Sequence, residues 1–200
     1  MIVSDEKIFN KRSERRDAAE NRQRILEAAL SLFNKDGVEK VSMNQIAKEA
    51  EVGSGTLYRR YRNKGELCLD LLKENVVIFF EKTEAYLEDN HTAPASERMK
   101  GILSLFIRFR ESKAQLLKGV EDSTVINRSK SGKRSPIYDE LHQLFVGLFD
   151  EIDAESNNVF KADMLLEALR SEAYLFQREI RGFTPEEVLE QIYALFIPYQ

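Results

Sequence analysis

Between Val41 and Leu67 the chain reads V-S-M-N-Q-I-A-K-E-A-E-V-G-S-G-T-L-Y-R-R-Y-R-N-K-G-E-L, which gathers hydroxyls, amides, tyrosines, arginines and lysines into one short stretch. Hydroxyls and amides donate to phosphate oxygens, and arginine pairs with phosphate or with guanine edges. Small residues such as Ser54, Gly55 and Thr56 let a backbone approach a ligand closely. This chemistry binds a polyanion; it does not make or break bonds. No other stretch offers a convergent acid, base or nucleophile. His91 and His142 stand apart from metal-spaced partners, and there is neither a Gly-rich phosphate loop after a strand nor a nucleophile elbow. No metal or cofactor is expected, and no enzymatic activity.

Those residues need helices to hold them. Ile25, Ala28, Ala29, Leu32 and Phe33 repeat at helical spacing, so a helix is expected from about Ala19 to Lys35, closed by Asp36-Gly37. Ser42 with Gln45 forms a capping box, and Val41 with Ile46 a hydrophobic staple, opening a second helix that ends near Ala50. Glu51-Val52-Gly53 makes a turn, and Ser54 to Tyr61 forms a third helix. The expected core of this head is Ile25, Ala29, Leu32, Phe33, Val41, Ile46, Ala47, Val52 and Leu57. Ser54, Gly55, Thr56, Tyr58, Arg59 and Arg60 remain outside it, at the place where a recognition helix meets the major groove. Lys64 begins the next helix beside the same backbone.

The rest of the chain reads as a helical body. A long helix runs from Lys64 to about Glu88, followed by a polar break from Asp89 to Ala95. One helix then reaches about Ser112, and a short one covers Lys113 to Val120. Ser123 to Ser135 is expected as a surface loop, with Lys130, Lys133 and Arg134 on it. Ser135-Pro136 opens a further helix, Asn157-Asn158 precede another that reaches about Ile180, and Thr184-Pro185 opens the last, with Glu187 completing its capping box.

Composition agrees. The chain has 200 residues, of which 42% are hydrophobic, enough for a core, and Gly and Pro number only 9 and 4, which favours helices. The net charge of −4 argues against a polyanion ligand only as an average. Up to Lys64 there are 14 Lys and Arg against 10 Asp and Glu, whereas the remainder holds 16 against 24. A basic head thus precedes an acidic body. Met1 to about Ala18 reads as a flexible charged arm, either a solvated, disordered terminus or one whose Lys11, Arg12, Arg15 and Arg16 follow phosphates or reach a minor groove. No run approaches the roughly 18 apolar residues of a membrane span, no signal-peptide core is present, and one cysteine, Cys68, cannot form an internal disulfide. A cytoplasmic protein without membrane association is expected.

Ser42 to Leu67 resembles the DNA-binding signature of the TetR family of bacterial transcriptional regulators. The matching pieces are I-A-K-E-A, G-T-L-Y and N-K-x-E-L, and with Arg24 to Gly37 the resemblance covers about 45 residues. It implies an all-α fold of about nine helices, with a helix-turn-helix head over residues 19–64 and a ligand-binding and dimerisation body over 65–200. It also implies a homodimer on a palindromic double-stranded DNA operator, most simply a repressor relieved by a small effector. By the family pattern Ser42, Asn44 and Lys64 meet phosphate, and Ser54, Gly55, Thr56, Tyr58, Arg59 and Arg60 lie in or along the groove. The sequence departs from the pattern at Glu51, where glycine is frequent, and at Gly53, where serine is common. A left-handed conformation at Glu51 would be strained.

For a largely apolar effector, the expected pocket lining is Phe79, Phe80, Phe106 and Phe109, with Phe145, Phe149 and Tyr174. For the dimer surface, the last two long helices offer Leu165, Leu169, Phe176, Val188, Ile192 and Phe196; service in the monomer core is the alternative role for both sets. The competing reading of the whole chain is a helical adaptor or architectural protein whose DNA contact is incidental.

Overall fold

A computed structural model describes residues 3–131 and 136–197, with side chains over residues 17–122 and 137–197. The described residues are helical or connecting, with no strand among them. The side chains of Lys11, Arg12, Arg15, Arg16, Lys130, Lys133 and Arg134 lie outside the described ones. The chain divides into two compact units, Met1–Leu71 and Leu72–Gln200. The division falls inside a helix, later than the boundary expected at Lys64, because Leu67 and Cys68 are buried and Lys64 and Asp70 are tied to the first unit.

In the first unit α1 spans Val3–Asp36, α2 Met43–Glu49 and α3 Ser54–Arg60, and α4 (Lys64–Asp89) begins there. Of the stretch expected as a flexible arm, Val3 to Ala18 forms the first half of α1, and Met1 and Ile2 lie outside the described residues. No proline or glycine interrupts residues 3–36, and Glu, Lys, Arg and Ala favour helix. Gly37, at φ 82°, ends α1, its N–H donating to the Phe33 carbonyl at 2.9 Å. Ser42 caps α2 with the reciprocal Gln45 bond, and Ile25, Ala29, Phe33, Val41, Ile46, Ala47 and Leu57 are buried. Leu32 and Val52 are only half-buried.

The second unit holds the rest of α4, then α5 (Ala95–Ser131), α6 (Pro136–Ile152), α7 (Asn158–Ala168), α8 (Ser171–Leu175) and α9 (Pro185–Phe196). Gly101 permits a close approach of α4, since a Cβ there would lie 2.0 Å from the Tyr86 hydroxyl oxygen. α5 bends at Lys113 (φ −134°, ψ 21°), at the residue where the sequence suggested a new helix. The Ser112 hydroxyl donates to the Phe109 carbonyl at 2.9 Å, the kind of back-bond that bends helices. Beyond the bend α5 continues to Ser131, correcting the loop expected from Ser123; the segment is polar, but its first helix breaker is Gly132.

The helix expected to run unbroken to Ile180 is interrupted at Leu169-Arg170, where Arg170 is extended (ψ 153°). α8 then restarts and widens into a π-helical turn, Phe176–Ile180. α6 packs against α5 and α7, and α9 against α5 and α7. Asn157 caps α7 through Phe160 N–H, and Thr184 with Glu187 forms the capping box of α9.

Candidate nucleic-acid interface

The connection between α2 and α3 is set by backbone bonds. Val52 N–H donates to the Ala47 carbonyl at 3.0 Å and Glu51 N–H to the Lys48 carbonyl at 3.2 Å, the paired pattern of a Schellman stop. Such a stop needs a left-handed residue, and Glu51 fills it at φ 52°, the one positive-φ position among the described residues that is not glycine. Gly53 precedes α3 in an extended conformation and contributes no side-chain cap.

α3 is anchored by Leu57, which is fully buried. At 100° per residue, the positions opposite Leu57 are Gly55 and Arg59, with Ser54 and Tyr58 on one flank and Thr56 and Arg60 on the other. Ser54, Gly55, Tyr58, Arg59 and Arg60 are exposed, as are Ser42 and Asn44 at the start of α2. A groove of about 520 Å³ runs between α1 and α3, lined by Asp17, Ala18, Asn21 and Ile25 on one side and Thr56, Arg59 and Arg60 on the other. Thr56, Arg59 and Arg60 thus line one groove, and the exposed Ser42, Asn44, Ser54, Gly55 and Tyr58 lie outside its lining.

Lys64 has different company. Its ammonium donates to the Val38 carbonyl, to Val41 at 2.8 Å and to Glu39 at 3.3 Å, the connection between α1 and α2. An ammonium has three N–H donors, and these contacts use all three. Sequence reasoning missed a second tether. Asp70 of α4 takes both Arg22 Nε and Nη2, at 2.8 and 2.6 Å, and also the hydroxyl of Tyr61, the C-terminal cap of α3. Burial, and then the Asp70 bond, push the Tyr61 hydroxyl up to about 12. The only hint in the sequence is that Tyr61 follows Leu57 by four residues, on the same helix face.

In the second unit Phe79 is the hub of an aromatic group, with ring centroids 5.0 Å from Phe80, 5.1 Å from Phe109 and 5.9 Å from Phe106. Phe145, Phe149 and Tyr174 are also buried. Beside Phe106 and Tyr174 lies a polar cluster that sequence reading did not find, formed by Arg110, Glu121, Tyr138 and Ser171. Of the residues expected to pair two subunits, Leu165, Leu169, Val188 and Ile192 are buried within the single chain, the alternative core role. Phe176 is exposed and Phe196 half-buried. α7 is apolar on both sides, so the sequence could not tell its core face from its outer one. The outer face carries Val159, Phe160 and Met164, and α9 exposes Leu195. His142 lies 3.1 Å from Asp163, and no cluster of three or more metal-ligating side chains occurs among the described residues. No helix of the described residues is long and apolar enough to cross a membrane.

Residues 25–71 match the sequence profile of the bacterial regulatory proteins of the tetR family. An HTH-type transcriptional regulator of Staphylococcus aureus (strain USA300) is 34% identical over 183 residues, covering 92% of this chain and 96% of the relative. Among solved structures, Thermus thermophilus FadR, a TetR-family repressor in complex with lauroyl-CoA, superposes with a TM-score of 0.63 at 18% identity, covering 88% of this chain and 93% of that one. NalD of Pseudomonas aeruginosa, the secondary repressor of the MexAB-OprM multidrug efflux pump, gives 0.58 at 20%, covering 90% and 96%. At those identities the structural likeness concerns the fold.

Proposed function

The chain belongs to the TetR family of bacterial regulatory proteins and is a helix-turn-helix transcriptional regulator, and on that premise we propose that it is a cytoplasmic repressor, without a catalytic step, that binds a palindromic operator as a homodimer and releases it when a small, largely apolar effector binds. The observation that carries the reading is the polarity of α3. Leu57 is buried, and the opposite side presents Gly55 and Arg59 between Ser54, Tyr58 and Arg60. Gly55 lets the helix approach base edges. Arg59, at the centre of that side, is the base-reading residue, paired with guanine O6 and N7. Arg60, on the flank it shares with Thr56, follows the sugar-phosphate backbone, as do Ser42, Asn44, Ser54, Thr56 and Tyr58. Lys64, whose donors are taken by carbonyls, acts as a strut and not as a phosphate ligand.

Two recognition helices engage one operator when they lie about 34–36 Å apart or a multiple of it. The dimer surface we assign to the exposed apolar residues Val159, Phe160, Met164 and Leu195. The aromatic group around Phe79 is the apolar bed for an effector, and support for such a ligand comes from the acyl-CoA bound by the Thermus protein. α4, which belongs to both units, carries the coupling. An effector relieves repression only by preferring the form that does not fit the operator.

The test is selection from a randomised duplex pool, followed by affinity against salt. An enriched inverted repeat supports the dimeric regulator. A steep salt slope without an enriched site would mean phosphate contact alone and favour the adaptor reading.

A further inference from the structure

Arg110 is the most deeply buried charged side chain among the described residues, with 2% of its surface exposed. Its guanidinium has five N–H donors. One Nη1 hydrogen meets Glu121 Oε1 at 3.2 Å and the other the Tyr138 hydroxyl at 3.0 Å. Nη2 donates to Ser171 Oγ at 2.7 Å and to Glu121 Oε1 at 3.3 Å. The fifth, Nε–H, is buried and has no acceptor. Glu121 is fully engaged on its own side: Tyr138 donates its hydroxyl to Oε1, and Ser171 N–H donates to Oε2 at 2.7 Å.

The cluster lies where the backbone departs from regular helix. Arg110 and Glu121 flank the Lys113 bend of α5, and Ser171 is the first residue after the break at Leu169-Arg170. The Phe106 ring centroid is 5.6 Å from the guanidinium carbon and that of Tyr174 5.4 Å. Phe106 leads on to Phe79 and Phe109. An unused charged donor therefore adjoins the aromatic group, at a joint between α5, α6 and α8.

We propose that Arg110 Nε–H is the recognition point for the effector, and that the effector is an apolar molecule bearing one neutral carbonyl acceptor: an ester, thioester, amide or ketone. The charge argument selects neutral over anionic. Glu121 already compensates the guanidinium, so a second carboxylate would leave a net negative charge in a buried aromatic setting, which is strongly disfavoured. A hydrocarbon would leave Nε–H unpaired. A neutral carbonyl pairs the donor without unbalancing the charge, while the apolar remainder lies along Phe106, Phe79 and Phe109. This inference rests on the effector-relieved reading above and adds the ligand's chemistry to it.

The test uses the full chain with three probes of similar size: methyl benzoate, benzoate and propylbenzene. Calorimetric titration should rank the ester about tenfold tighter than the hydrocarbon, the gain of one hydrogen bond to a charged donor, with benzoate weaker than the ester. In protein labelled with ¹⁵N-arginine, the Arg110 Nε–H resonance should shift with the ester and stay put with propylbenzene. The double variant Arg110→Met/Glu121→Gln removes both charges and keeps an amide oxygen for Ser171 N–H, and it should bind ester and hydrocarbon alike. Should it not fold, the wild-type resonance decides alone. Equal affinities in the wild type, tightest binding by benzoate, no binding by the ester, an unmoved resonance or a preference surviving in the double variant would each overturn the proposal. Operator release is followed in the same titrations. Ester binding without release keeps the site and removes the relief mechanism; release by propylbenzene with an unmoved resonance removes the site and keeps the mechanism.

Discussion

Asp70 accepts the Tyr61 hydroxyl at 2.5 Å while holding Arg22 through two further bonds, so one carboxylate of α4 fixes both α1 and the end of α3. Asp70→Asn weakens all three contacts at once. Because Arg22 is about a third exposed, solvent screening discounts the ion pair, and the expected loss is about 1–2 kcal/mol. Operator affinity should fall further than the urea midpoint implies, since the recognition helix loses its C-terminal anchor. Arg22→Gln, which spares the Tyr61 bond, should cost less on both measures. An Asp70→Asn protein with the wild-type midpoint would refute the tether.

The same contact predicts a pH dependence. Tyr61 is pushed from 10.0 up to about 12, by burial first and by Asp70 second. A raised folded-state value means the folded chain keeps a proton that the unfolded chain gives up. Its contribution is therefore full below pH 10 and is lost as pH rises from about 10 to about 12. Tyr138 and Tyr174 are also pushed up, chiefly by burial, and contribute in the same direction. Tyr61→Phe should flatten part of the alkaline loss of stability and leave the curve below pH 9 unchanged in shape. Chemical denaturation at closely spaced pH values reads this directly.

What the sequence made legible was local. The Ser42-Gln45 and Thr184-Glu187 boxes, the Gly37 stop and the buried stripe from Ile25 to Leu57 depend on residues within a turn or two of each other, and they stand where spacing put them. What stayed hidden depends on partners far along the chain. Arg22 meets Asp70 across 48 residues and Arg110 meets Ser171 across 61, and nothing in either neighbourhood announces the other. α7 is apolar on two sides, so its spacing does not single out one core face. The α5 extension was misread because polar composition suggests a loop, although only Gly132 supplies a break.

The turn between α2 and α3 carries a removable strain. Glu51 sits at φ 52°, where a side chain crowds its own backbone. Glu51→Gly should raise stability by about 1 kcal/mol, read as a higher thermal midpoint. Glu51→Ala keeps the Cβ and loses the charge, so a gain equal to that of glycine would assign the effect to charge and not to strain. At Gly53 the backbone is extended and a Cβ would meet Thr56 Oγ1 at 3.9 Å, ordinary contact. Gly53→Ser should therefore supply the missing cap and add a few tenths of a kcal/mol.

Lys64 and the two arginines separate by their salt response. Lys64→Met removes donors that hold the α1–α2 connection, so it should lower stability by about 1–2 kcal/mol while leaving the slope of log affinity against log salt unchanged. Arg60→Ala should lower that slope by about 1 and weaken operator and random DNA equally. Arg59→Ala should weaken the operator by about 1–3 kcal/mol more than random DNA. A reduced salt slope for Lys64→Met, or equal losses on both DNAs for Arg59→Ala, would reverse the roles given to those residues.

Subunit pairing can be told apart from core packing by polarity. Leu165 and Leu169 are wholly buried within one chain, so Leu165→Ala should cost about 2–5 kcal/mol at any protein concentration. Leu195, 78% exposed, and Phe160, 60% exposed, contribute little to a lone chain. Phe160→Glu and Leu195→Glu should leave chain-level helicity intact and shift sedimentation from a dimer toward the 23.2 kDa chain. Because an inverted repeat is read by two linked heads, operator affinity should fall with the dimer, while binding to a single half-site stays as it was. Glutamates that leave a wild-type dimer in place would move the interface off this face, and the search would then turn to Phe176 and Ile180, the exposed apolar residues of the π-helical turn.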